Sequence, residues 1–490
     1  MTLRISGLAS GMDTESIINQ LLNVDKNRLV DRFYQQKQTV QWKQEVYRET
    51  NIKMLALRNA AFDLRLQGSF QGKKAETSNA DALTAKAGNN ALSGAYSLEV
   101  LSLAAGAFKE LSPTANYVHS GGDKKFTVTG EKGNAEITVT DGQTMKDVVA
   151  SINAVSGQTG VKASYDSGVN KIFLMSDGTG SAAKISLTDT DGFWSGAGVA
   201  IADLAEVTGT DAKVKFNGGS ELTFSSNQFT LSGIDFTIKK ANETTNVIVS
   251  NDVDATVDKI KAFVEAYNNT VSFMGDKIAE KRDRDYSPLT EAQKEAMTED
   301  EVKLWEAAAK KGLLTGDSLY RSIYSDLRSV ATGYVSGLEQ RDADGKIIKN
   351  YNSLSSIGIT TSDYLDKGKL YIDEDKLRAA LEDDPEAVQK LFTNTSDEAG
   401  KLGLASRIYN SASAAMQKIT TKAGSSDAVV DISNFGKEIS RLDSQMSAGE
   451  IRLQKLEEKY WAQYSAMETA LETLQQKSDW LTQQLELLTS

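Results

Sequence analysis

The chain has 490 residues, too many for one compact core at about 150 residues per domain, and its 40% apolar and 25% charged residues are typical of globular proteins. Its 55 Lys and Arg residues against 67 Asp and Glu residues give a net charge of −12, so the phosphate backbone of a nucleic acid would be repelled. The absence of Cys excludes disulfides and thiolate sites, and the only histidine, His119, leaves little imidazole chemistry. The turn-like sequence around His119 predicts a histidine in a surface loop.

The sequence predicts neither a membrane-spanning segment nor a secretory signal. No apolar run approaches the roughly 18 residues needed to span a bilayer. The first residues also lack the apolar region and the cleavage site of a secretory signal. The sequence therefore predicts a protein that is cytosolic or that is exported without a classical signal.

The first predicted element is a long helix. Asp13 is a plausible N-cap, and no Pro or Gly occurs from there to Leu66. Its apolar residues form a narrow stripe on a polar rod, as in a coiled-coil or bundle seam: Ile18, Leu22, Leu29, Phe33 and Val40. We interpret residues 1–41 as a mobile helical leg and residues 42–71 as the N-terminal part of a helical stalk.

The composition changes in residues 72–251, which are rich in Gly, Thr, Ser and Asn. Apolar residues alternate there, and ten strand candidates lie between Tyr96 and Val249. One helix interrupts them, beginning with a capping-box pattern at Thr144 and Asp147. This segment predicts one or two β-rich head domains inserted into the helical stalk.

A strict heptad pattern follows the head. Steps of four and three residues continue through Val253, Val257, Ile260, Val264, Tyr267, Val271, Met274 and Ile278. The pattern predicts a core helix of a bundle, and an ordinary amphipathic helix is the alternative. Residues 252–448 are predicted to form the stalk core, a helical bundle with short strands, and residues 289–311 a solvated helical hairpin at its side.

The C-terminal segment, residues 449–490, repeats the narrow stripe. Its seam residues are Leu453, Leu456, Tyr460, Met467, Leu474, Leu481 and Leu488. Gly449 and Gln463 interrupt the stripe, which predicts a leg helix completed by partner helices. The predicted fold class is α+β and multidomain, with a long helical stalk built from both chain ends and a middle helix and with β-rich heads inserted.

The sequence offers no catalytic site, cofactor site or metal site. Two acidic loops, at Asp189 and at Asp342, resemble the middle of a calcium loop, but Gly198 and Tyr351 occupy the position where an EF-hand needs a bidentate acid. Paired carboxylates for glycoside hydrolysis require a defined separation, which composition alone does not provide.

Several segments resemble one protein family. The opening residues Ile5–Ile18 are similar to the N-terminal signature of the flagellar hook-associated protein 2 family, the FliD filament caps. Residues Gly142–Asn153 resemble a module shared by flagellins and hook-associated proteins, which we place at about residues 124–190. Gly312–Leu319 and Lys369–Asp373 are similar to the C-terminal half of the family.

The resemblance implies a non-enzymatic cap at the distal tip of the bacterial flagellum. It implies a homo-oligomer, usually a pentamer, that promotes the folding and insertion of exported flagellin and prevents its loss. It further implies contacts with hook-filament junction proteins, a cytosolic export chaperone at the C-terminal helix, and an extracellular location reached through type III export without a cleaved signal. No nucleic acid partner and no membrane insertion are expected.

Two other functions remain open from the residues alone. A hook-filament junction protein would share the helical ends and the inserted module, but it would add in protofilament register. A surface adhesin or glycan-binding head would use the exposed β insert, and adhesion could coexist with capping.

Overall fold

The computed structural model describes residues 11–362, 366–398, 400–425 and 427–489, with side chains up to Leu485. The chain divides into two compact units. Gln71–Ala255 forms the head unit, and the segments on either side of it in the sequence form the helical unit. The N-terminal signature falls partly on residues 1–10, which lie outside the described residues.

The N-terminal segment is helical as predicted. Helix α1 begins after Asp13, whose carboxylate accepts a hydrogen bond of 3.0 Å from the Ser16 amide and so caps the helix. A single π turn joins it to the next helix. The bounds are α1 Thr14–Lys26, the π turn Asn27–Asp31 and α2 Arg32–Arg65.

The head unit is built from antiparallel strands and three short helices. The strands are β1 Lys73–Thr77, β2 Leu83–Ala87, β3 Gly94–Ser102, β4 Phe108–Leu111, β5 Lys124–Gly130, β6 Gly133–Val139, β7 Val161–Asp166, β8 Lys171–Ser176, β9 Lys184–Thr188, β10 Val207–Thr208, β11 Ala212–Phe216, β12 Glu221–Phe224, β13 Gln228–Leu231, β14 Ile234–Ile238 and β15 Glu243–Asn251. The helices are α3 Met145–Ala154, α4 Ser156–Thr159 and α5 Phe193–Gly196.

The head strands form four sheets around two hydrophobic cores. Sheets β10-β9-β5-β6 and β4-β8-β7 enclose one core with α3, and sheets β1-β15-β3-β11-β12 and β13-β14-β2 enclose the other. Thr144 and Asp147 form the predicted capping box of α3, with the Thr144 amide donating to the Asp147 carboxylate at 2.8 Å. Each of the ten strand candidates coincides with a strand, whereas β1, β2, β4, β10 and β12 were not predicted.

The prediction of an exposed His119 was wrong. Only 3% of its surface is exposed, and its ring lies edge-on to Phe193. Its Nε2 lies 2.8 Å from the Gly122 carbonyl oxygen and its Nδ1 lies 3.2 Å from the Tyr117 hydroxyl. The turn-like sequence is correct, but the aromatic side chains next to it close over the imidazole.

The chain returns to the helical unit through α6. The remaining helices are α6 Val253–Ala279, α7 Glu291–Glu295, α8 Glu299–Lys310, α9 Ser318–Ala331, α10 Glu374–Asp383, α11 Pro385–Thr393, α12 Leu404–Ala423 and α13 Asn434–Thr489. Two small antiparallel sheets pair β16 Glu339–Arg341 with β17 Ile347–Asn350 and β18 Ile359–Thr361 with β19 Leu370–Ile372. The multidomain α+β class, with helices from both chain ends and the middle, is confirmed.

The heptad residues of α6 lie in the core of the helical unit. Six are buried, and Val253 and Ile278 at the two ends are half-buried; the six are Val257, Ile260, Val264, Tyr267, Val271 and Met274. Hydrogen bonds fix the helix to its neighbours. Thr270 donates to the Lys53 carbonyl of α2 at 3.2 Å, and the Asn268 amide group exchanges two hydrogen bonds with the Leu370 backbone of β19.

Candidate assembly surfaces

Helices α1 and α13 form an antiparallel pair, and most of the predicted terminal seam lies between them or beside them. Ile18 and Val40 are buried. The other seam residues from Leu22 to Met467 are half-buried: Leu22, Leu29, Phe33, Leu453, Leu456, Tyr460 and Met467. The Tyr460 hydroxyl donates to the Asp25 carboxylate at 2.9 Å, and the Lys37 ammonium lies 2.7 Å from Asp443. Both legs of one chain thus complete much of each other's stripe.

A close backbone approach lies in the middle of this pair. Gly449 of α13 is buried against the π turn, and a Cβ atom there would lie only 2.2 Å from the Leu29 carbonyl oxygen. The sequence pattern marks Gly449 as an interruption of the stripe. The structure instead makes it the contact that lets the two backbones meet, because only glycine leaves room for that carbonyl.

The last part of α13 is not covered by α1. All residues from Glu472 to Leu485 are exposed, and the predicted seam residues Leu474 and Leu481 have 61% and 55% of their surfaces in solvent. We call Leu474 and Leu481 the open stripe. The seven-residue spacing places both side chains on one face of the helix. The seam residue Leu488 lies where side chains are not described.

The hairpin of α7 and α8 fastens α2. The Tyr34 hydroxyl donates to the Glu291 carboxylate, and Gln35 donates to the Pro288 carbonyl at 2.9 Å. Trp42 packs with Ala309 in a small apolar cluster. The predicted hairpin is therefore present and is docked on α2, while its outer side is solvated, with 74% of Leu304 exposed.

The loop between α12 and α13 exposes a second apolar surface. Val429 is fully exposed, and Val430 and Ile432 are exposed by 72% and 77%. We call these three residues the apolar knob. Sequence analysis missed it, although a run of branched apolar residues between Gly424 and Gly436 could have drawn attention to it.

The Asp431 carboxylate holds this loop in place. It accepts hydrogen bonds from Gln44 at 2.6 Å, from Arg48 at 2.9 Å and from the Ser433 amide at 3.0 Å. Burial by itself would raise the pKa of Asp431, but the hydrogen bonds from Ser433 and Gln44 and the charge of Arg48 bring the pKa below its ordinary value.

Two glycines complete the hold on Asp431. A Cβ atom on Gly424 would lie 2.5 Å from the Asp431 carboxylate, and one on Gly436 would lie 2.4 Å from its carbonyl oxygen. Asp431 is therefore closely packed against these two glycines, while Val429, Val430 and Ile432 on either side of it remain in solvent.

The two acidic loops of the sequence use their carboxylates for turns. Asp342 accepts from the amides of Asp344 and Lys346 at 3.1 and 2.8 Å. Asp189 accepts from the amides of Trp194 and Ser195 at 3.2 and 3.0 Å. Among the described residues, no group of three or more His, Asp or Glu side chains is arranged to hold a metal ion.

None of the helices in the described ranges is both long enough and apolar enough to cross a lipid bilayer.

Models of three protein families match this chain. The model of the flagellar hook-associated protein 2 C-terminus matches residues 209–476, and that of the N-terminus of the same protein matches residues 10–107. The flagellin hook IN motif matches residues 125–178, within the head unit.

Relatives match along nearly the full chain. Flagellar hook-associated protein 2 of Halalkalibacterium halodurans is 31% identical over 95% of this chain and 96% of that protein. The protein of the same name from Thermotoga maritima is 25% identical over 99% and 96%, and the B-type protein of Pseudomonas aeruginosa is 25% identical over 97% of each.

A solved structure shares the fold. The D1-D2-D3 domains of the flagellar cap protein FliD from Escherichia coli superpose with a TM-score of 0.52 at 21% identity, covering 82% of this chain and 99% of that one. Identity and coverage together show the family. The chain belongs to the flagellar hook-associated protein 2 family.

Proposed function

We propose that this protein forms a closed homo-oligomeric cap at the tip of the flagellar filament, where it promotes the insertion and folding of exported flagellin. The open stripe of α13 is the observation that carries the proposal. Leu474 and Leu481 lie on the part of α13 that α1 does not cover, and their apolar side chains lie in solvent. Apolar surface on an isolated helix gains little stability by itself, so a helical partner is required to bury it.

The same helix pair accounts for weak and reversible packing of the legs. Most of the seam between α1 and α13 is half-buried, and its polar contacts, such as Tyr460 with Asp25, lie near the surface. Such packing suits legs that must exchange partners as each flagellin subunit is added. The buried heptad of α6 provides the stable stalk. The described parts of the two predicted legs, residues 11–41 and 449–489, act as the mobile elements.

The resemblance to the family supports the following partners as part of the same proposal. The oligomer is a ring, with five copies as the usual number. Flagellin and the hook-filament junction proteins contact the legs, and an export chaperone covers the C-terminal helix before type III export, which needs no cleaved signal. The open stripe offers the chaperone an apolar surface that later becomes available for assembly.

A variant of the open stripe tests the proposal in the full-length protein. Leu474 and Leu481 are both replaced by Gln, and Leu304→Gln on the exposed side of α8 is the matched control. Because all three side chains are exposed, we expect unchanged melting temperatures. The stripe variant is expected to release flagellin monomers into the medium and to leave short filaments, whereas the control builds normal filaments.

Two results would count against the proposal. If the stripe variant builds normal filaments, the open stripe is not required for filament growth. A wild-type protein whose native mass is that of a monomer at every concentration, and whose deletion leaves filament growth unchanged, would favour a junction or adhesin role.

A further inference from the structure

We propose that the apolar knob docks into a recess between α9 and α12 of an adjacent copy of the same chain. The recess encloses about 290 Å³ and is lined by Ile323, Val330, Ala414 and Ala415, with Asp326 and Lys418 among its lining residues. The inference rests on the self-association proposed above and names the two surfaces through which neighbouring copies would contact each other.

The knob has the properties of a preorganised anchor. Three branched apolar side chains remain in solvent on either side of Asp431, which is held by a hydrogen bond from Gln44 and packs closely against the two glycines. Fixing a loop before binding removes part of the ordering cost that association would otherwise carry. Burying these side chains against a partner contributes a favourable free energy that is roughly proportional to the apolar area removed from water.

The recess is suited in size and lining to such an anchor. Ala414 of α12 is exposed and Val330 of α9 is half-buried, so both present apolar surface to the recess, whereas Ile323 and Ala415 are buried. Ser329 and Ser411 are polar residues of the same lining. A valine or isoleucine side chain can fill the space with apolar contacts.

The charges around the two surfaces are complementary. Lys437 lines the same groove as Val430 and Ile432 of the knob, and Asp326 lines the recess. Docking can therefore pair Lys437 with Asp326. Rim pairs of this kind contribute to orientation and to association rate more than to affinity.

The two surfaces lie on different sides of one helix. The recess is lined by Ser411, Ala414, Ala415 and Lys418 of α12. On the knob side, Val430 and Ile432 line a groove together with Ser413, Met416, Gln417 and Thr420 of the same helix. At 3.6 residues per turn the centres of these two sets are roughly 160° apart around α12. A contact between two different surfaces of identical chains is heterologous, and it closes into a ring when the rotation between copies allows it.

Disulfide cross-linking of the full-length protein tests the contact. The chain contains no Cys, so only introduced thiols can react. Val430→Cys and Ala414→Cys are prepared as separate variants and mixed under mild oxidation. We expect a covalent dimer from the mixture and none from either variant alone; Val430→Cys mixed with Ile52→Cys, an exposed position on α2, is the control. The double variant should give covalent rings of the native size.

A charge exchange gives a second measurement that does not depend on oxidation. Lys437→Glu is expected to slow the association of the copies about tenfold at low salt, and Asp326→Lys in the same chain is expected to restore the rate. Lys437→Glu should not destabilise the fold, because an acidic residue near the N-terminus of α13 interacts favourably with the helix dipole.

The outcomes separate this inference from the proposed function. A wild-type ring without cross-linking between positions 430 and 414 would overturn the knob contact alone. Cross-linking of Val430→Cys with itself would show a symmetric contact and would overturn the heterologous one. A wild-type chain that stays monomeric throughout would overturn both this contact and the proposed ring.

Discussion

Replacing Gly449 by Ala should loosen the leg pair. The new Cβ would lie 2.2 Å from the Leu29 carbonyl oxygen, so the helices must separate by about 1 Å to reach van der Waals contact. Overpacking of this kind costs about 1–3 kcal/mol, and the higher helix propensity of alanine returns up to about 1 kcal/mol. We therefore expect a net loss of about 1 kcal/mol in the pairing of α1 with α13.

This magnitude decides the assay. The helical unit has roughly 300 residues, so 1 kcal/mol shifts its melting temperature by less than about 2 °C at about 2.1 cal/mol/K of unfolding entropy per residue. Local hydrogen exchange is more sensitive, because the same energy changes the opening equilibrium roughly fivefold. Amides of Thr14–Lys26 should lose about that much protection, whereas amides of α9 should not change.

Ser447→Ala is the matched control. Ser447 is exposed and lies just before Gly449 in the same helix, so the control gains helix propensity without a clash. If the α1 amides are as well protected from hydrogen exchange in the Gly449 variant as in this control, the close approach does not limit leg packing and the reasoning fails.

Three further predictions concern the stalk, the loop and the leg. Ile260→Ala removes a fully buried side chain and should lower the free energy of unfolding by about 2–5 kcal/mol and the melting temperature by roughly 3–8 °C. Leu481→Ala, at an exposed position, should change the free energy of unfolding by no more than about 0.5 kcal/mol. Equal shifts of the melting temperature in calorimetry would contradict the division into stalk and leg. Because the pKa of Asp431 is lowered in the folded protein, its carboxylate stabilises the fold above the unfolded-state pKa of about 3.9, and this stabilisation is lost as the pH falls through the folded-state pKa. Asp431→Asn should therefore flatten the decrease of melting temperature below about pH 4. An unchanged pH profile would be inconsistent with this role of Asp431. Tyr460→Phe removes the hydrogen bond to Asp25 and should increase hydrogen exchange in α1 while leaving α6 unchanged; faster exchange in both helices would indicate a general loss of packing instead.

Elements with a local period could be predicted from the sequence. The heptad of α6 predicted a buried helix because residues at steps of three and four face one side, and the burial of Val257 through Met274 agrees with this pattern. The capping box at Thr144 was predictable for the same reason, since the four residues from Thr144 to Asp147 contain the whole interaction.

Elements that depend on distant partners could not be predicted. Strand β1 contains only one apolar residue, Ala75, and it forms because its backbone pairs with β15 almost two hundred residues later. The role of Gly449 needed the position of Leu29, and the burial of His119 needed Phe193. The apolar knob was missed because apolar residues in a loop carry no period, and only the structure shows that they remain exposed.

The pairing of β1 with β15 has a consequence for engineering. The two ends of the head unit lie side by side, with Lys73 opposite Asn251, and the Lys73 ammonium donates to the Asn251 side chain at 2.6 Å. Register partners in an antiparallel pair have Cα atoms about 5 Å apart, so a linker of two or three residues can replace everything between them. The head is therefore an exchangeable cassette, and a foreign domain whose termini are equally close could be displayed in its place.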